Sequence, residues 1–379
     1  MVSRYYPSSD PVACHQCFAD EQLVTWIKGH GTRGRCGWCE ARNAYVVDLP
    51  SLGKLFEQVT ALYSPSDSVH GDYLSDLLQE DWEVFSEQIL EKDLAKPLIE
   101  AIMTAGVDPG ELMSMDVDYR GLFHRQELYS FSLEEEWEST VASELFGKKV
   151  DAATSERDAD LDRTSFAIED VGTTYPSQKA LYRARLYKDR SRTGWYTLGE
   201  MGAPSPEKAT AARANREEQP VLYMASDLQT ALAEVRAWKG APVTIAEMKT
   251  VSTLRILDLS KPYTIASPFF QEEENPLSWK IEASGLLNRF GEELSRPVMP
   301  HEEATLYLPT QHLCDLVRAA GFNGIAYPSA MGPGHNVVFF DPSTVAPSSL
   351  SHHRVKEPNF KSTTPSPYEP PYQKIPWTR

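Results

Sequence analysis

The chain has 379 residues, of which 41% are hydrophobic and 24% charged, and its formal net charge is −17. That length predicts two or three domains with cores of their own, and the acidic balance disfavours nucleic acid as a partner, since phosphate-backbone binding needs clustered Lys and Arg. No apolar run reaches the ~20 residues of a membrane-spanning helix, and the opening "MVSRYYPSSDPVACHQC" lacks the apolar stretch of a secretory signal. A cytoplasmic protein with no membrane partner is expected.

Four of the five cysteines fall in two CxxC pairs, Cys14/Cys17 and Cys36/Cys39, with eighteen residues between the pairs. This spacing matches a zinc ribbon. Four thiolates would close a tetrahedral shell, so residues 1–50 are expected to hold a structural zinc with no open coordination position. Cys314, within "TQHLCDLVRAAGF", reads as a buried small hydrophobe.

Residues 51–150 read as helical. Leu52, Leu55, Phe56 and Val59 recur at i, i+3, i+4 and i+7. "DYLSDLLQEDWEVF", "LAKPLIEAIMTAG" and "SLEEEWESTVASELFG" continue the pattern, the second stopping at Gly106. From 151 to 179 a Thr- and Asp-rich stretch predicts a linker. Between 180 and 348 the character changes: "ALYRARLY", "PVLYMA", "VTIAEMKT", "LRILDLS" and "HNVVFFD" are short β-favouring runs, with helices after Ser226 and around 306–320. The fold class is α+β. Residues 349–379 carry six prolines from Pro358 onwards and predict an extended or disordered tail. Its Phe360, Tyr368, Tyr372 and Trp377 offer docking points for a partner or for a second copy in a homo-oligomer.

Within the α+β block, "PVLYMASDLQTALAEVR" predicts a strand, then a helix capped by Ser226 with Gln229 completing a capping box. Leu228, Ala231, Leu232 and Val235 share the apolar face, and Glu234 falls at its margin, where pattern alone describes a solvated edge residue. Tyr223 reads equally as a half-buried strand residue. Arg183 and Arg185 alternate along one strand and so share a side. Two arginines there resist burial unless an anion meets them.

"LYRARL", "GAPSPEKATAARAN", "PVLYMASDLQTALAEVR", "LRILDL" and "YLPTQHLCDLVRAAGFNGIAYPSAMGPGHNVVFFDP" follow one another in the order of the RES domain, which the chain resembles from about Ala180 to Pro347. The zinc and helical stretch before it resembles the HEPN/RES amino-terminal domain. The resemblance implies an ADP-ribosyltransferase-like fold, a split pair of antiparallel sheets with NAD⁺ as substrate in the cleft. It also implies a bacterial toxin that destroys NAD⁺ by hydrolysis or phosphorolysis and is silenced by an Xre-type antitoxin. Carried over by motif, Glu234 is the family glutamate, Arg183 the strand arginine with Arg185 a second candidate, Arg213 the arginine of the "RAN" turn, Tyr223 the aromatic and Ser329 the serine. The implied catalytic set is Glu234, Arg183, Tyr223 and Ser329. The implied NAD⁺ contacts are Arg183, Arg185, Arg213, Tyr223 and Ser329.

Two other readings compete. Protein-directed ADP-ribosyl transfer would use the same cleft, but Leu232 stands where an E-x-E or Q-x-E acceptor loop has its first polar residue. A HEPN RNase needs R-x₄₋₆-H, and "RGLFH" (Arg120 to His124) has three intervening residues. The helical region is therefore read as a regulatory or assembly platform.

Overall fold

The computed structural model describes residues 12–65, 73–106, 117–118, 172–187, 194–270, 277–296 and 307–357. They fall into two compact units, one drawn from Met1–Ser130 and Thr264–Glu282, the other from Phe131–Tyr263 and Ala283–Arg379.

The first unit opens with β1 (Val12–Cys14), α1 (Glu21–His30), β2 (Thr32–Gly34) and β3 (Ala44–Asp48), the three strands forming an antiparallel sheet in the order β1-β3-β2. Asp20 caps α1 by accepting from the Leu23 amide at 2.7 Å, and Asp48 does the same for the next helix through Ser51 at 2.8 Å. That helix, α2 (Leu49–Thr60), is followed by β4 (Ser64–Pro65), α3 (Leu74–Trp82), α4 (Glu87–Glu91), α5 (Ala95–Gly106) and β5 (Val117–Asp118), the last pairing with β4. The apolar stripe expected on α2 is buried: Leu52, Phe56 and Val59 are inaccessible to solvent. α5 ends at Gly106 as expected. "SLEEEWESTVASELFG" and the Arg120–His124 stretch lie outside the described residues. Phe269 and Leu277, distant in sequence, complete this core, with the Phe269 ring edge-on to Phe56 at 5.0 Å.

The second unit is built on an eight-stranded sheet. Its strands are β6 (Gly172–Tyr175), β7 (Ala180–Leu186), β8 (Leu222–Ala225), β9 (Pro242–Thr250), β10 (Leu254–Asp258), β11 (Gly324–Pro328), β12 (His335–Phe339) and β13 (Val345–Arg354). The order is β13-β9-β7-β8-β12-β11-β10-β6. Every pair is antiparallel except β10–β11. The sheet is continuous and mixed, with β7 and β8 joined at a single pairing, Tyr182 opposite Ala225. Helices α6 (Leu228–Glu234) and α8 (Leu308–Ala319), with the part of α7 (Leu277–Ser295) from Ala283 onwards, complete this unit.

Two boundaries differ from the sequence reading. β6 lies inside the stretch 151–179 taken as a linker, where "GTTY" pairs with β10 despite its polar composition. β13 extends through residues 349–354, taken as tail. The prolines that suggested a tail begin at Pro358, so nothing in 349–354 removes a ladder donor. Among the described residues no helix is long and apolar enough to cross a membrane.

Candidate active site

Strand alternation sorts the candidate residues. Arg183 and Ala246 are cross-strand partners, and Ala246 belongs with Leu181, Met224 and Val337 to the apolar cluster on one face. Ala225 lies opposite both Tyr182 and Asn336, and packs with Ala231 of α6 on the other face. Tyr223, two residues before Ala225, shares that second face.

Glu234 is the last residue of α6 and is exposed. One carboxylate oxygen, Oε1, accepts from Ser329 Oγ at 2.6 Å and from Asn336 Nδ2 at 2.7 Å. Oε2 makes no hydrogen bond among the described residues. Ser329 is held in turn by its loop, its Oγ accepting from the Met331 amide at 3.1 Å and the Gly332 amide at 2.9 Å. A hydroxyl has one donor and two lone pairs. All are used within the protein, which ties Ser329 to Glu234.

The loop 329–334 is bound to the start of α6. Asp227, not Ser226, caps that helix, accepting from the Thr230 amide and hydroxyl, both at 2.8 Å. Ser226 Oγ donates to Asp227 Oδ2 at 2.9 Å and accepts from the His335 amide at 3.0 Å. Thr230 Oγ1 accepts from the Gly334 amide at 2.8 Å. Burial raises the Asp227 pKa, but the hydrogen bonds from Thr230 and Ser226 outweigh it and hold it below the ordinary value. The loop comes so close that a Cβ on Gly334 would lie 1.9 Å from Asp227 Oδ2, and one on Gly332 2.6 Å from Thr230 Cα.

Tyr223 is anchored at its hydroxyl, which accepts from the Ala214 amide and donates to Asn215 Oδ1, both at 3.0 Å. Burial, then the neighbouring Tyr327, pushes its pKa well above the ordinary value, so it is a permanent donor. The turn it grips is fixed from α8 as well, where Gln311 Nε2 donates to the carbonyls of Ala212 and Asn215 at 2.9 and 3.0 Å. Arg213, in this turn, donates to the Leu294 carbonyl at 2.6 Å. Tyr327 feels both Arg213 and Glu234, which lower and raise its pKa respectively, while burial sets the net upward direction. Tyr223, Tyr327, Arg213, Glu234, Ser329 and Asn336 thus form one neighbourhood.

Arg183 and Arg185 stand apart from it, on the opposite face. Arg185 donates to the Gly202 carbonyl at 3.2 Å. Among the described residues, Arg183 Nη1 is buried without a hydrogen-bond partner. Burial, and next the charge of Arg185, push the Arg183 pKa down to about 10. Both side chains are half-buried, and Arg185 also lies 5.7 Å from the centre of the Tyr196 ring. Cys314 is buried, which raises its pKa and keeps it a protonated thiol, as its helical pattern suggested.

In the other unit, the sulfurs of Cys14, Cys17, Cys36 and Cys39 lie within 4.8 Å of one another. Their closest approaches are 3.4 Å (Cys14–Cys39), 3.5 Å (Cys17–Cys36) and 4.0 Å (Cys14–Cys17). Tetrahedral ligands at the ~2.3 Å bond length of zinc thiolates stand about 3.8 Å apart. The Trp38 amide donates to Cys36 Sγ at 3.4 Å, a contact that supports a thiolate. The donor set fits a structural metal ion.

Asn336 is the functional candidate that sequence reasoning missed. In "HNVVFFD" it is one polar residue entering an apolar strand, and only its alternation onto the Glu234 face sets it apart.

Comparison with protein families matches residues 180–356 to the RES domain. Among solved structures the chain is similar to one in the crystal structure of the M. tuberculosis MbcT-MbcA toxin-antitoxin complex, with 12% identity and a TM-score of 0.32, over 51% of this chain and 92% of that one. No curated protein matches.

Proposed function

With residues 180–356 forming a RES domain, we propose that this protein cleaves the bond between nicotinamide and ribose in NAD⁺ and acts as a toxin by depleting it. The observation that carries the reading is the exposed Glu234 carboxylate, fixed through Oε1 by Ser329 and Asn336, with Oε2 unbonded among the described residues.

Cleavage sends the bonding electrons to the pyridinium nitrogen, releases neutral nicotinamide and leaves positive charge on the ribose, as in glycoside hydrolysis. A fixed carboxylate whose free oxygen meets the ribose hydroxyls stabilises that charge more than it stabilises the substrate. Water or phosphate then adds to C1′ and loses a proton. Tyr223, held at its hydroxyl, offers its ring to nicotinamide. Arg183, with Arg185 beside it, would take the pyrophosphate, which guanidinium forks suit. That role requires the phosphates to pass from the Glu234 face to the opposite face beside the single β7–β8 pairing of Tyr182 with Ala225. Arg213 would add positive charge at the same neighbourhood. Zinc at the four cysteines has no part in this chemistry. An Xre-type antitoxin that silences the enzyme, cytoplasmic action and assembly as a homo-oligomer belong to the same proposal.

The test is product analysis. Purified protein with NAD⁺ is expected to release nicotinamide, together with ADP-ribose in buffer or its 1″-phosphate where phosphate is the acceptor. Glu234→Gln should lower turnover by about 10²–10³-fold with an unchanged circular dichroism spectrum. Full turnover by that variant would sink the mechanism, and label transferred from NAD⁺ to proteins would move the acceptor from water or phosphate to a side chain.

A further inference from the structure

Asn336 sits in β12 between Ala225 of β8 and Tyr327 of β11, and only 8% of it is exposed. The residues that follow, Val337, Val338 and Phe339, are fully buried. A carboxamide in such a strand costs free energy unless its polar atoms are met. Its Nδ2 is met by Glu234 Oε1, the oxygen that Ser329 also engages.

The two donors come from different supports. Ser329 belongs to the loop tied to the start of α6, whereas Asn336 belongs to the sheet. Without them a glutamate at the exposed end of a seven-residue helix would sample many rotamers, and the two donors remove that freedom before substrate arrives. With both donors on one oxygen, the carboxylate is held and the second oxygen makes no hydrogen bond among the described residues.

We propose that Asn336 is a positioning residue for Glu234: it clamps Oε1 to the sheet so that Oε2 is the oxygen offered to the substrate ribose. The inference rests on the NAD⁺-cleaving reading for its substrate, but not for its geometry. Asn336 touches no substrate. Its contribution is to rate, by removing the reorganisation that a loose carboxylate would undergo on the way to the transition state.

Two variants and a structure test this. Asn336→Ala is expected to lower kcat for NAD⁺ by about 10–100-fold while KM stays within about threefold. Asn336→Asp keeps the shape but sets a second carboxylate against Glu234. The two would then share a proton, moving the acidic limb of the pH–rate profile upward by about one unit or more. Crystals of Asn336→Ala should show the Glu234 carboxylate displaced from its wild-type rotamer. Wild-type kcat in Asn336→Ala, a change confined to KM, or an unmoved acidic limb in a folded Asn336→Asp would each overturn the proposal. If Asn336→Ala does not fold, the pH profile of Asn336→Asp decides. If the wild-type protein leaves NAD⁺ intact, the functional reading fails while the Glu234 rotamer in the variant crystals still decides the role of Asn336.

Discussion

Arg183 brings a charge to the face of Leu181, Met224 and Ala246, with one guanidinium nitrogen unmatched among the described residues. A half-buried guanidinium with an unmatched nitrogen costs the fold stability, which a bound anion would offset. This yields a pair of opposed effects. Arg183→Met should raise KM for NAD⁺ by about tenfold or more, since a charge-assisted phosphate contact is lost. The same variant should unfold at a higher temperature, stabilised by on the order of 1 kcal/mol. Titration with NAD⁺ and thermal melts read the two effects separately. A variant that lost stability and kept its KM would make Arg183 a packing residue and leave the pyrophosphate to another group.

At the level of elements, the knot between α6 and the 329–334 loop positions the site. Gly334 permits it because its missing Cβ would meet Asp227 Oδ2 at 1.9 Å and Ser226 Oγ at 2.3 Å. Gly334→Ala should push the loop off the helix, destabilise the unit by about 1–3 kcal/mol and lower NAD⁺ turnover with it, as melting and kinetics would show. Unaltered activity would separate the knot from the chemistry. These contacts also explain what could be read in advance. The helix was legible because its signals are local, as was the Cys₄ spacing, though Leu228 of the expected apolar face is exposed and Val235 follows the helix end. The cap was misassigned because Ser226 and Asp227 are both competent, and the choice is made by the His335 amide, 109 residues away. Ser329 and Glu234 were found only through resemblance to a family. Their joining, and the part of Asn336, depend on a register between β8 and β12 that no local pattern specifies.

At the scale of the molecule, a ribbon and helices at one end of the chain share a core with residues 264–282. The four thiols sit in that core and their metal is expected to hold it together. Reaction with a mercurial should release about one zinc ion per chain, followed by loss of part of the helical circular dichroism signal. Release without spectral change would make the metal dispensable to the fold. The interleaving has a further consequence, for synthesis. Phe56 waits for Phe269, and Trp26 for Phe270, whose ring centroid lies 6.1 Å away. At roughly 5–20 residues per second, on the order of ten seconds or more separate the emergence of α5 from that of those partners. Throughout that interval the nascent ribbon and helices leave the ribosome with an unfinished core, which is when a chaperone has most to hold.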